Sequence, residues 1–108
     1  MNILILFKPE HVNPILNGVK TETRRLWKSA RVKVGSIQLA KTQMLSKDYF
    51  AKLHILNVYQ ERLGDITPES AMREGGYTIE SYFAKFDEIN GTTDRNTILY
   101  VVHFEVIQ

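Results

Sequence analysis

A chain of 108 residues with net charge +2, 44% hydrophobic residues and no cysteine reads as one small globular domain over residues 1–108. The missing cysteines exclude disulfides, Cys nucleophiles and thiolate metal sites. No apolar run approaches the ~18 residues of a bilayer span and no basic leader precedes a cleavage site, so a cytoplasmic protein with no membrane partner is expected.

Ile3-Leu4-Ile5-Leu6-Phe7 is the first predicted strand, apolar and short enough to be buried. Glu10 to Asn17 follows as about two helical turns, with Pro14 near the start and Gly18 suited to a left-handed C-terminal position. Strands are predicted around Thr23 to Trp27 and, after the Gly35 turn, around Ser36 to Lys41. In the long strand Phe50 to Arg62 the alternation of Leu53, Ile55 and Val58 slips by one near Leu56, which predicts a bulge. Thr67-Pro68 reads as an N-cap and first helical residue. Thr78 caps a further helix on which Ile79, Tyr82, Phe83 and Phe86 form a core stripe. Asn90-Gly91 ends that helix, and Thr97 to Ile107 is the most β-rich segment of the chain. Strands with short interposed helices predict an α+β fold built on a small, curved β-barrel.

Charge is unevenly distributed along the chain. Lys20 to Lys52 holds nine basic residues (Lys20, Arg24, Arg25, Lys28, Arg31, Lys33, Lys41, Lys47, Lys52) against Glu22 and Asp48, whereas Leu53 to Gln108 is acidic. One reading is a face for a polyanion such as RNA, with Trp27, Tyr49 and Phe50 available for stacking. The other is a solvated basic half whose aromatics belong to the core. The histidines His11, His54 and His103 are isolated and lack metal-ligand spacing, so no metal is expected. No glycine-rich phosphate loop predicts a nucleotide cofactor, and no other cofactor is indicated.

The densest chemistry lies in Gly18-Val19-Lys20-Thr21-Glu22-Thr23-Arg24-Arg25. A Thr hydroxyl becomes a nucleophile when a neighbouring base takes its proton, and a Lys amine can do this once its pKa is lowered. Adjacent guanidiniums lower it by like-charge repulsion and attract phosphates or a developing oxyanion. A basic surface hairpin is the plainer alternative. Residues three apart on a strand face opposite ways, so Lys20 can act on Thr23 only from the turn after Gly18, or across a bulge.

The Lys20-Thr21-x-Thr23-x-Arg25 core after Gly18, preceded by Pro14-Ile15-Leu16 and followed by Leu63-Gly64-Asp65-Ile66-Thr67 and Glu74-Gly75, resembles the ASCH domain family. The resemblance covers essentially the whole chain and implies a PUA-like fold. Some ASCH proteins are amidohydrolases that remove the acetyl group from cytidine acetylated on its exocyclic amine. On that resemblance Lys20 is the base, Thr23 the nucleophile, and Glu74 a buried acid with raised pKa serving the leaving group. Arg25 would hold the base or the oxyanion; Thr21 and Arg24 within the motif, and Trp27, Arg31 and Lys33 from the basic segment beyond it, are the further candidates for contact with substrate or RNA. Two positions depart from the pattern: Arg24 stands where the bacterial amidohydrolases have an apolar residue, and Ser36 where an acid is common. An RNA-binding module without catalysis, or a ribonuclease, is the alternative. An enclosed nucleoside-sized pocket at Lys20 favours the amidohydrolase, and an open basic groove favours the RNA binder.

Overall fold

The computed structural model describes residues 4–107, so Ile3, expected in the first strand, lies outside the described residues. Five strands form one sheet in the order β1-β3-β4-β5-β2: β1 (Leu4–Leu6), β2 (Glu22–Arg25), β3 (Ile37–Lys41), β4 (Ala51–Arg62) and β5 (Ile98–Val106). Three α-helices intervene: α1 (Val12–Leu16), α2 (Pro68–Gly75) and α3 (Ile79–Asn90). The architecture is mixed α+β, as expected. β1 runs parallel to β3, and the other pairings are antiparallel. The sheet is not closed: β1 and β2 are its two edges. A side chain reaches across, where Arg25 Nη2 donates to Leu6 O at 2.6 Å.

β4 is the long central strand, and its register against β5 shifts between Ile55 and Asn57. The extra residue, Leu56, is the one at which the apolar alternation slips. One side of the sheet encloses a core of Ile5, Phe7, Ile15, Val32, Leu53, Ile55, Val102 and Phe104. Phe50 joins it through an edge-on contact with Phe7, so it is core and not a stacking platform. A second cluster of Leu63, Ile66, Ala71, Tyr82, Phe86 and Leu99 lies under α2 and α3. The stripe read from α3 holds, with Tyr82 and Phe86 buried and Ile79 and Phe83 packed beside them.

Local signals set the helix ends. Thr67 Oγ1 accepts from Ser70 N at 3.1 Å, and Pro68 opens α2. The helix ends at Gly76, whose φ of 82° is left-handed backbone. Thr78 and Ser81 cap α3 reciprocally. Asp87 on this helix is gripped by both Nη atoms of Arg95, folding the 92–97 loop onto α3.

Candidate active site

The lead-in to β2 decides where Lys20 goes. α1 ends after Leu16, and Gly18 turns the chain with a φ of 81°. The amides of Val19 and Lys20 then both donate to Pro14 O at 2.9 Å. Thr21 N donates to Arg73 O at 2.8 Å, which ties the segment to the last turn of α2. Regular strand begins at Glu22. Lys20 therefore stands in the turn and escapes the strand alternation that would have set it opposite Thr23.

Within β2 the alternation is strict. Glu22 and Arg24 point to α2, where Ser70 and Glu74, four residues apart, share the buried face. Arg24 Nη1 donates to Glu22 Oε2 and, at 3.1 Å, to Glu74 Oε2. Its Nη2 donates to Glu61 Oε1 at 2.6 Å and Ser70 Oγ at 3.3 Å. Glu22 also accepts from Arg73 Nε at 2.6 Å and Ser70 Oγ at 2.9 Å. Burial works against the ionised Glu22 carboxylate, but the Arg73 and Arg24 hydrogen bonds prevail and hold its pKa below the usual range. Burial likewise opposes the Arg24 cation, and the surrounding carboxylates Glu74, Glu61 and Glu22 raise its pKa nonetheless. Arg24 is thus a structural cation, with a side chain 1% exposed, that also borders the cavity on the other side of the strand.

Thr23 and Arg25 point the other way, into a cavity of about 500 Å³ also walled by Lys20, Glu74, Phe7, Tyr82 and Phe86. Lys20 is 2% exposed. Its Nζ donates to Glu74 O at 2.7 Å, Glu74 Oε1 at 3.0 Å and Glu22 O at 3.1 Å. As an ammonium it therefore has all three protons engaged. Burial lowers its pKa; Glu74 pulls it upward and Arg25 pushes it further down. Thr23 Oγ1 accepts from Arg25 Nε at 3.0 Å, and among the described residues its own proton meets no acceptor. Arg25 lies over the Phe7 ring at 4.9 Å and makes no ion pair with a described carboxylate. Burial lowers its pKa too. Glu74, expected as a general acid, has both oxygens engaged by cations, Lys20 and Arg24. Proton donation from it would require one of those contacts to open.

The remaining expected residues lie elsewhere. Thr21 contributes only backbone hydrogen bonds, to Arg73 and Phe104. Trp27, Arg31 and Lys33 are not on the cavity wall. Trp27 packs against the core and near Tyr100, and Arg31 sits 5.9 Å from its ring. Sequence reasoning missed Glu22, whose burial a lone carboxylate between two Thr residues does not announce. It also missed His11, which lines the cavity yet has no metal or catalytic spacing around it.

Comparison with solved structures decides the fold. An ASCH domain from Lactobacillus crispatus JV V101 matches 88% of this chain over 69% of its own length, with TM-score 0.63 and 16% identity. The fold is that of the ASCH domain. Protein EF3133 from Enterococcus faecalis V583, of family model DUF984, gives TM-score 0.71 at 16% identity, covering 99% of this chain and 80% of its own. The hypothetical protein PH0355 gives 0.76 at 15% identity, covering 99% of this chain and 100% of its own. No family model and no curated protein matches the sequence. The likeness establishes the fold, and function must be argued from the side chains. Among the described residues no helix is long and apolar enough to cross a membrane.

Proposed function

We propose that this protein is an amidohydrolase that removes an acyl group from acetylated cytidine or a related nucleoside, working in the cytoplasm as a single barrel-like domain. The observation that carries the proposal is convergence: Lys20 from a turn, Thr23 from β2 and Glu74 from α2 wall one cavity. Its volume, about 500 Å³, falls in the range of small-molecule sites. Phe7, Tyr82 and Phe86 offer the apolar surface a nucleobase needs.

In this mechanism Lys20 loses one of its three donated hydrogen bonds on deprotonation, keeps two, and turns the freed lone pair to take the Thr23 proton. Thr23 Oγ bonds to the acyl carbon, and charge moves onto the carbonyl oxygen. Arg25, which makes no ion pair among the described residues and is held against Thr23, stabilises that oxyanion. On collapse the C–N bond breaks, and the amine leaves with the proton carried by Lys20. Water then hydrolyses the Thr23 ester and frees the acid. Glu74 holds Lys20 in place and stabilises the ammonium that forms, a role its two engaged oxygens suit better than proton donation.

The RNA-binding alternative keeps one observation in its favour, the exposed Lys28, Arg31, Lys33, Lys47 and Lys52 outside the cavity. Incubation of the protein with N4-acetylcytidine and with labelled single-stranded RNA, side by side, separates the two. The expected result is release of cytidine and acetate. RNA binding that weakens steeply with salt, without hydrolysis, would support the alternative.

A further inference from the structure

The cavity wall is graded from a buried floor to an exposed mouth, and its charge is one-sided. Lys20, Thr23 and Glu74 lie on the floor with Phe7, Tyr82 and Phe86, all of them buried. Lys8, Leu26, Thr42 and Asn90 are exposed and form the mouth. Among the described residues the wall carries five cations, Lys8, Lys20, Arg24, Arg25 and Lys85, against the single carboxylate of Glu74. Three of the cations are answered: Lys20 by Glu74, Arg24 by Glu22, Glu61 and Glu74, and Lys85 by Glu10 and Glu88. Lys8 and Arg25 pair with no described carboxylate. Arg25 is occupied with Thr23 Oγ1 and Leu6 O, whereas the Lys8 side chain takes no part in the fold or the mechanism. Glu10, the acid nearest Lys8 along the chain, is held by Lys85 Nζ at 3.2 Å and is not on the wall. Lys8 therefore stands unopposed at the mouth.

We infer that the substrate is a nucleotide, whose phosphate monoester is met at the mouth by Lys8 while its base reaches the floor. The inference rests on the proposed function in seating the acylated amine of the base at Thr23. That amine and the 5′-phosphate stand at opposite ends of a cytidine nucleotide. With the acyl carbon within ~3.5 Å of Thr23 Oγ, as attack requires, the ribose extends away from the floor and its phosphate reaches the exposed rim. The ammonium of Lys8, on a flexible stem, suits a solvated phosphate there. Charge favours an anion over the whole cavity as well. Lys8 and Arg25 leave the wall net positive, and a cleft lined by one sign of charge concentrates ligands of the other. A mononucleotide fits this better than a strand of RNA, which needs a track of cations along its backbone. The exposed Lys28, Arg31 and Lys33 do not line the cavity.

The test gives the full chain N4-acetylcytidine and its 5′-monophosphate as rival substrates, with Lys8→Ala and Lys8→Arg as variants. Calorimetry with cytidine and cytidine 5′-monophosphate measures binding apart from hydrolysis. The wild type should turn over the nucleotide with a KM about tenfold below that of the nucleoside at similar kcat, and added salt should narrow the gap. Lys8→Ala should erase the gap by raising only the nucleotide KM, and Lys8→Arg should restore much of it. Both variants should melt with the wild type, because Lys8 is exposed. Equal KM for the two substrates, or a gap that Lys8→Ala leaves intact, would overturn the inference while the amidohydrolase stands. So would an acetylated RNA oligonucleotide hydrolysed at a KM well below that of the mononucleotide. If neither small substrate is hydrolysed, but cytidine 5′-monophosphate binds about tenfold more tightly than cytidine and Lys8→Ala removes the difference, the amidohydrolase fails and the nucleotide site stands. No hydrolysis with equal binding of the two overturns both.

Discussion

The two faces of β2 differ in what their polar groups have left to give. On the α2 side, Glu22 and Arg24 are paired with Arg73, Ser70, Glu61 and Glu74. On the cavity side, among the described residues, the Thr23 proton meets no acceptor, Arg25 pairs with no carboxylate, and His11 has an orphaned nitrogen. Alternation along four residues separates a face that holds the molecule together from one that can act on something else. Ion pairing, more than residue type, distinguishes them: Arg24 is ringed by carboxylates although its Nε makes no hydrogen bond. The charges of Arg24 and Arg25 are equal, but among the described residues only Arg24 is ion-paired.

The largest expected effect lies on the ion-paired face. Arg24→Ala leaves Glu22 and Glu74 buried without their shared cation and should cost ~3–5 kcal/mol of folding stability, read by urea denaturation. A loss below about 1 kcal/mol would show that the network is not structural and would erase the distinction between the faces.

Glu74→Gln should come next. It keeps the shape but removes the charge from Lys20, so kcat should fall by one to two orders of magnitude, with ~1–3 kcal/mol lost in stability. Retained kcat would deny Glu74 its place beside the base.

The pH dependence sharpens the comparison further. Lys20 acts as a base only when deprotonated, so kcat/KM should rise with pH and level off below 10.5, the usual lysine value, because burial lowers its pKa. Stability should carry a smaller signature from His11. Its pKa is 6.5 when unfolded and about 4 when folded. The contribution is therefore present above pH 6.5 and lost as the pH falls through about 4. Melting curves of wild type and His11→Phe should diverge across that interval, and parallel curves would contradict it.

The smallest effect belongs to the exposed basic segment. Replacing Arg31 and Lys33 together by Ala should leave hydrolysis within about twofold and stability within ~0.5 kcal/mol. A large loss of activity would extend the functional surface beyond the cavity.

Much of this arrangement was legible in the sequence because it is local. The slipped alternation at Leu56 gave the bulge, Thr67-Pro68 and Thr78 gave the helix starts, and Gly18 offered a turn for Lys20 as one of the open arrangements. The pairing of Glu22 and Arg24 with α2 was not legible, since it joins residues 46 to 51 positions apart. Only the opposed charges of the two halves hinted at it. That asymmetry read as a face for a polyanion, yet Lys20 and Arg24, two of the basic residues counted, are neutralised by Glu74 and Glu61 from the acidic half. His11 left no signal, because an isolated histidine acquires meaning only from the cavity that the fold brings to it.

Thr23 is the hinge of the account, and hydrolysis of N4-acetylcytidine by Thr23→Ser and Thr23→Val tests it most directly. Serine keeps the hydroxyl and should retain measurable activity, whereas valine keeps the shape and should abolish it. Lys20→Ala should be about as damaging, and the double variant little worse, as for residues that act as one unit. Both Thr23 variants should melt near the wild type. An active Thr23→Val, or one that unfolds while Lys20→Ala remains active, would make Thr23 a strand residue whose hydroxyl serves only the Arg25 hydrogen bond, and the cavity would have no nucleophile.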